Sequence, residues 1–203
     1  MLILAIAADS FAFNLTQPYF GPVKMKFSNF ERETPGTGNG NGVIDQVGEQ
    51  LDGIAKISSI NAINPTNTLL WYDGYLGEEL TITFSGFTVQ QIISNANNNT
   101  IDFTGGEMTV YLGSPMNFNA TYPGSGVTDG SIFLTFKAVA GVIPSDDLLT
   151  PFDESTDTLR SSADSLTAPL TGHGIGLIQI TGGTHANLFG GAGAILSMES
   201  DFS

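Results

Sequence analysis

The chain has 203 residues, a length typical of one domain with one continuous core. Its 6 Lys and Arg against 20 Asp and Glu give a net charge of −14, which excludes nucleic acid as a partner because polyanion binding needs a basic surface. The absence of Cys excludes disulfides, thiolate metal sites and cysteine nucleophiles. Only 13% of residues are charged, 41% are hydrophobic and 25 are Gly, a composition typical of extracellular β-proteins. We therefore predict an extracellular or cell-surface location.

The first twelve residues form a separate segment. Leu2–Ala8 is an apolar run too short to cross a bilayer, which takes about 20 residues, so no membrane span is predicted. Ser10 and Ala12 occupy the −3 and −1 positions of a signal-peptidase site before Phe13. The segment is therefore the remnant of an export signal, or a retained strand that pairs with a sheet edge of the same or another subunit. In the second case subunit assembly would use Leu2, Ile3, Leu4 and Ile6.

Residues 13–203 are predicted to form one all-β domain, a single jelly-roll-like β-sandwich of mostly antiparallel strands with long polar loops. Alternating or fully apolar runs are separated by Gly, Asn, Asp and Pro, including a predicted turn at Thr104–Gly106. Ser131–Ala140 is apolar on both faces and is predicted to be central. Short helical turns are predicted only at Val89–Asn95 and within Ser145–Ser165. The predicted strands are Val23–Phe30, Leu51–Ile60, Thr68–Tyr72, Glu79–Phe87, Glu107–Leu112, Ser131–Ala140, Ile175–Thr181 and Ala194–Phe202.

The sequence contains no motif that indicates catalysis. A Gly-x-Ser-x-Gly nucleophile elbow is missing. The two histidines, His173 and His185, lie among glycines without metal-ligand spacing, so we interpret them as exposed turn residues. We expect a protein that is not an enzyme and needs no cofactor, with calcium as the one candidate ion.

That candidate is a Gly/Asn-rich stretch with part of a calcium-loop pattern. Asn39, Asn41 and Asp45 supply oxygen ligands at alternate positions. The first ligand position holds Thr37 instead of Asp, and Glu49 comes one residue after the last position. The stretch is therefore either a weak calcium site or a flexible hairpin loop.

Two further stretches have alternative interpretations. The rings of Trp71, Tyr72 and Tyr75 surround a turn, where they could stack on carbohydrate, or else pack in the core. An acidic stretch at residues 146–164, whose only base is Arg160, could bind cations, or else form a long solvated loop.

Six phrases in a fixed order resemble the secreted bacterial proteins of the PEP-CTERM type. They are KFSNFE, GEQLDGIAKISSIN, LLWYDGYLGEELTITFSGFTV, IDFTGGEMTVYLGSPMNFN, TDGSIFLTFKAV and a late GLIQITGGTHANLF with ESDFS. The resemblance covers Tyr19 to Ser203 and contains no catalytic motif, and the sorting tail of that family is not found in this sequence. It implies export and association with exopolysaccharide and biofilm matrix.

Together these observations predict an exported, non-enzymatic structural protein of the cell surface, the biofilm matrix or an extracellular filament. It would assemble into a homopolymer through β-strand edges, with exopolysaccharide as a further partner. The alternative is an extracellular module that binds carbohydrate or calcium.

Overall fold

The computed structural model describes residues 15–16, 23–62, 64–94, 99–121, 124–141, 153–163 and 172–202. The N-terminal run Leu2–Ala8 and much of the acidic stretch lie outside these residues.

The described residues form one sheet in which every strand pair is antiparallel. Two 3₁₀ turns, Tyr75–Gly77 and Ala186–Phe189, are the helical elements of this part of the chain. The predicted all-β, sandwich-like fold is therefore confirmed. The strands are β1 (Val23–Glu33), β2 (Gln50–Ala62), β3 (Leu69–Tyr72), β4 (Glu79–Ser94), β5 (Asn99–Gly113), β6 (Ser131–Ala138), β7 (Leu159–Ala163), β8 (Gly172–Gly182) and β9 (Ile195–Phe202).

The nine strands occupy seven positions across the sheet. One edge of β2 pairs with β1, and its other edge pairs first with β4 and then with β3. Similarly, β7 and β6 lie end to end between β5 and β8. The other edge of β8 pairs with β9. The order is thus β1, β2, β3 with β4, β5, β6 with β7, β8, and β9, which places the predicted central strand β6 inside the sheet.

The two longest strands, β4 and β5, bend together at three glycines. Gly86, Gly105 and Gly106 have φ values of 77, 70 and 109°, a region that side chains rarely adopt. A Cβ atom on Gly106 would lie 2.4 Å from Cε1 of Phe87, so the Phe87 ring occupies the space that any other residue would need. The turn predicted at Thr104–Gly106 is therefore wrong, because these residues are a bend inside β5.

The sheet curls around one hydrophobic core. Trp71, Phe87, Phe103 and Phe133 are among its largest fully buried side chains. Residues of both outermost strands pack against the same core, and Cα atoms of β1 and β9 approach within 8 Å of each other. The two ends of the sheet therefore face one another.

Two segments differ from the predictions. The helical turn predicted at Val89–Asn95 is wrong, because β4 continues to Ser94 and pairs with β5 along its length. Strand β7 was not predicted, since its sequence LRSSA lacks an apolar run. It is held between β5 and β8 by main-chain pairing and by a charge interaction of its second residue.

That interaction is a buried ion pair between β5 and β7. Arg160 Nε donates to Asp102 Oδ1 at 2.7 Å, and Nη2 donates to Oδ2 at 3.0 Å, which is a bidentate arrangement. The two residues are directly opposite in the strand register and are only 3% and 1% exposed. Arg160, the base of the acidic stretch, therefore stabilises the sheet interior.

We predict that Arg160→Met lowers the free energy of unfolding by about 3–5 kcal/mol, because it leaves the Asp102 carboxylate buried without its charge partner. The double variant Asp102→Leu with Arg160→Met should recover part of this loss. Denaturant unfolding measures both, with Arg32→Met as the control for a partly exposed pair, expected to cost no more than about 1 kcal/mol. A loss for Arg160→Met no greater than for Arg32→Met would contradict the prediction.

Candidate functional site

The candidate site is the gap between the edge strands β1 and β9. Each step across the seven positions reverses the strand direction, so the first and the last strand run in the same direction. Among the described strands, β1 is hydrogen-bonded to β2 and β9 to β8, and the two do not pair with each other. Each therefore presents a row of backbone N–H and C=O groups to the gap.

A cavity of about 350 Å³ lies in this gap. Strand β1 alternates Val23, Met25 and Phe27 on its inner face with the exposed Lys24 and Lys26 on its outer face. The inner faces of both edge strands line the cavity together with core residues of the strands between them. Its apolar lining residues are Val23, Met25, Phe27, Ile57, Ile82, Met108, Val110, Phe136, Ile178, Leu196 and Met198.

The outer face of β1 is basic, in contrast to its apolar inner face. Lys24, Lys26 and Arg32 lie on this face, and they are three of the six basic residues of the chain. Charged residues on an edge strand oppose the flat edge-to-edge pairing of two sheets. An added strand would therefore have to enter the gap, where the contact surface is apolar.

One carboxylate of β1 lies beside the apolar interior. Glu31 follows Asn29 on the inner face of β1 and lines a second, small cavity with Phe84, Phe87 and Met198. Burial raises the pKa of the Glu31 carboxyl to about 7, and the hydrogen bond from Asn29 partly opposes this shift. The residue nevertheless keeps more than a third of its surface exposed, so solvent reduces the effect of this shift on stability.

The predicted calcium ligands come together, but through hydrogen bonds with one another. The amide groups of Asn39 and Asn41 donate to the two oxygens of Asp45 at 2.9 and 2.8 Å. The Oδ1 atoms of both asparagines accept backbone N–H groups, those of Asn41 and Val43. Among the described residues, no three Asp, Glu, His or Cys groups meet in a metal-ligating arrangement.

Two glutamates organise this loop, of which the sequence interpretation considered Glu49 and missed Glu33. Glu33 at the end of β1 and Glu49 just before β2 are 3% and 0% exposed. The Glu33 carboxylate accepts the N–H groups of Gly40 and Gly42 at 3.1 and 3.0 Å. The position of Glu49, one residue past the calcium-loop pattern, was the available signal.

The aromatic cluster is only partly exposed. Trp71 is fully buried, which agrees with the alternative of core packing, and it presents no surface to a sugar in this conformation. Tyr72 is 46% exposed, and its ring lies 5.4 Å from the ring of Tyr75 at 59°. A tilted pair of this kind offers no flat platform for a sugar ring.

The histidines also differ from the prediction of exposed turn residues. The His185 ring stacks on Phe133 at 4.7 Å, and its Nδ1 is 2.8 Å from Thr184 Oγ1. Burial lowers the pKa of His185. His173 is exposed but lies within β8, where it pairs with Ser162 of β7 and with Asp201 of β9.

In the described part of the acidic stretch, Asp153 and Glu154 are exposed but Asp157 is buried. Asp157 is 6% exposed and accepts the N–H of Asp153 at 2.9 Å. Burial raises the pKa of Asp157, and the nearby charges of Asp102 and Asp153 add to this effect. This part of the stretch anchors the start of β7.

The predicted assembly residues Leu2, Ile3, Leu4 and Ile6 lie outside the described residues. No helix in the described part of the chain is both long and apolar enough to cross a membrane. Comparison of the chain with protein-family models, curated proteins and solved structures gives no match.

We predict that the protein loses stability as the pH rises from 5 to 8, through the pKa of about 7 of Glu31. The raised pKa means that the folded state disfavours the charged carboxylate. The protonated carboxyl therefore contributes its full stability below the ordinary pKa of the side chain, and this contribution is lost as the pH rises through 7. Glu31→Gln should flatten this part of the pH profile in denaturant unfolding. The control is Glu107→Gln, an exposed glutamate of β5. Equal profiles for the wild type and Glu31→Gln would contradict the assignment.

Proposed function

We propose that this is an exported, non-enzymatic structural protein of the cell surface, matrix or an extracellular filament, and that its subunits join by strand insertion. The segment Leu2–Ala8 of one subunit would enter the gap between β1 and β9 of the next. The observation that carries the proposal is the apolar gap between two edge strands that run in the same direction. Export is supported by the Gly-rich composition with few charged residues and by the resemblance to secreted matrix proteins.

The direction of the edges favours an inserted strand over direct closure. Because β1 and β9 are parallel, direct pairing would introduce one parallel ladder into a fully antiparallel sheet. A strand between them that runs in the opposite direction pairs antiparallel with both. It would complete a closed sheet of eight positions and satisfy both rows of backbone groups.

The sequence of the segment suits this place. In an extended conformation Leu2, Leu4 and Ile6 lie on one face, while Ile3, Ala5 and Ala7 lie on the other. The first set would face the cavity between Met25 and Met198. The seven residues also match the length of β9, which has eight.

Insertion requires a local opening of the gap. Neighbouring strands are spaced about 4.8 Å apart, so an inserted strand needs about 9.6 Å between its two partners. The Cα atoms of β1 and β9 approach within 8 Å at present. We therefore expect β9 to move outward when the segment binds.

The inserted segment and the gap that receives it are two different surfaces, and this difference determines the type of assembly. A contact between two different surfaces propagates from subunit to subunit and builds a filament unless it closes into a ring. The same segment inserted into its own gap would give a closed monomer instead. Crosslinking between two chains and crosslinking within one chain distinguish these two outcomes.

We predict that Ile6→Cys in one copy and Met198→Cys in another form an intermolecular disulfide when mixed under oxidising conditions. The chain contains no other Cys, so every crosslink is assigned unambiguously. Met116→Cys replaces Met198→Cys in the control, because Met116 is 44% exposed and does not line the cavity. Non-reducing gels and mass spectrometry identify the product.

A paired substitution tests the face of the inserted strand. Leu4→Lys with Ile6→Lys should abolish the filaments seen by negative-stain microscopy, whereas Ala5→Lys with Ala7→Lys should preserve them. Intact-mass analysis must show that the assembled chains retain Leu2–Ala8. The proposal fails if the mature chain begins at Phe13, if the protein stays monomeric, or if a chain that carries both Ile6→Cys and Met198→Cys crosslinks only within itself. A small apolar molecule found in the cavity by native mass spectrometry would likewise replace it.

A further inference from the structure

Two buried carboxylates face each other in the loop between β1 and β2. Glu33 and Glu49 bracket this loop at its two ends. A Cβ atom on Gly38 would lie 2.5 Å from Glu49 Oε1 and 2.6 Å from Glu33 Oε1, so both oxygens lie over Gly38. They are about 5 Å apart at most, a separation that one calcium ion with ligand distances of 2.3–2.6 Å can bridge.

Among the described residues, one of these oxygens has no hydrogen-bond partner. Glu49 Oε2 accepts the N–H groups of Asp45 and Gln46 at 2.7 and 2.8 Å, whereas Glu49 Oε1 is buried and accepts none. A buried carboxylate oxygen without a partner is costly, and a second carboxylate beside it adds repulsion. Arg32, the base next to Glu33 in the sequence, donates to Asp52.

Gly38 leaves the space in which the two carboxylates approach each other. Gly38 lacks a side chain where a Cβ atom would also lie 2.3 Å from Glu49 Cγ, so no larger residue fits without displacing the glutamate. The N–H groups of Gly40 and Gly42 fix the Glu33 carboxylate in place. Both glutamates are thus oriented by the backbone, and their two Oε1 atoms point to the same space.

We propose that Glu33 and Glu49 bind a calcium ion between their Oε1 atoms, with backbone oxygens and water completing the coordination. Oxygen-only ligands select a hard cation, and calcium tolerates the irregular geometry that a loop provides. With two carboxylates the affinity belongs to the class of extracellular modules, with a Kd of about 10⁻⁴–10⁻³ M. Asp45, the carboxylate of the sequence pattern, stays paired with Asn39 and Asn41. The ion would lock the β1–β2 hairpin, independently of strand insertion.

The test is a calcium titration of the full chain after removal of divalent ions. We expect Tm to rise by about 3–5 °C at a calcium concentration tenfold above Kd, and isothermal titration calorimetry to give one site per chain. Magnesium at the same concentration should give a smaller shift, because it dehydrates reluctantly and demands octahedral geometry.

The variants separate this site from the sequence pattern. Glu49→Gln and Glu33→Gln should each remove the calcium shift, and Glu49→Gln should have a higher calcium-free Tm than the wild type because it relieves repulsion. Asp45→Asn and Glu107→Gln should keep the shift. Loss of the shift in Asp45→Asn but not in Glu49→Gln would overturn the assignment of ligands. A wild-type Tm unchanged up to ~10 mM calcium would overturn the site altogether.

Discussion

An antiparallel sheet can close on itself only when it contains an even number of strand positions, and this protein has seven. The curl of the sheet brings β1 and β9 onto a common core, but their parallel direction prevents them from pairing antiparallel with each other. Among the described strands, the two unpaired edges and the candidate site between them result from this count. A closed barrel has no such edges.

The curl itself depends on a small number of residues in β4 and β5. Glycines at 86, 105 and 106 allow both strands to bend, and the Phe87 ring fills the space over Gly106. Beyond the bend β5 pairs with β7 instead of β6, which requires β7 to lie in the sheet although its sequence is polar. The bidentate pair between Asp102 and Arg160 makes this possible, because each charge supplies the partner that the other needs inside the protein.

Local patterns in the sequence predicted most of the strands, because alternation of apolar and polar residues reflects which face of a strand is buried. They could not predict β7, whose place depends on a residue 58 positions away in sequence. For the same reason they could not show that Trp71 is buried, or that Glu33 and Glu49 converge on Gly38. The direction of the edge strands requires the complete pairing order, which no single segment contains. The candidate site was therefore the least predictable part of the molecule.

The bent β4–β5 hairpin also sets an order of events during folding. Its two strands are separated by a short connection, so their pairing costs little loop-closure entropy, whereas β1 and β9 lie at opposite ends of the described chain. The hairpin can form early, while the gap is defined only when the last strand is in place. The apolar inner face therefore remains exposed until the last strand has been made, and this is the interval in which the chain is most open to association.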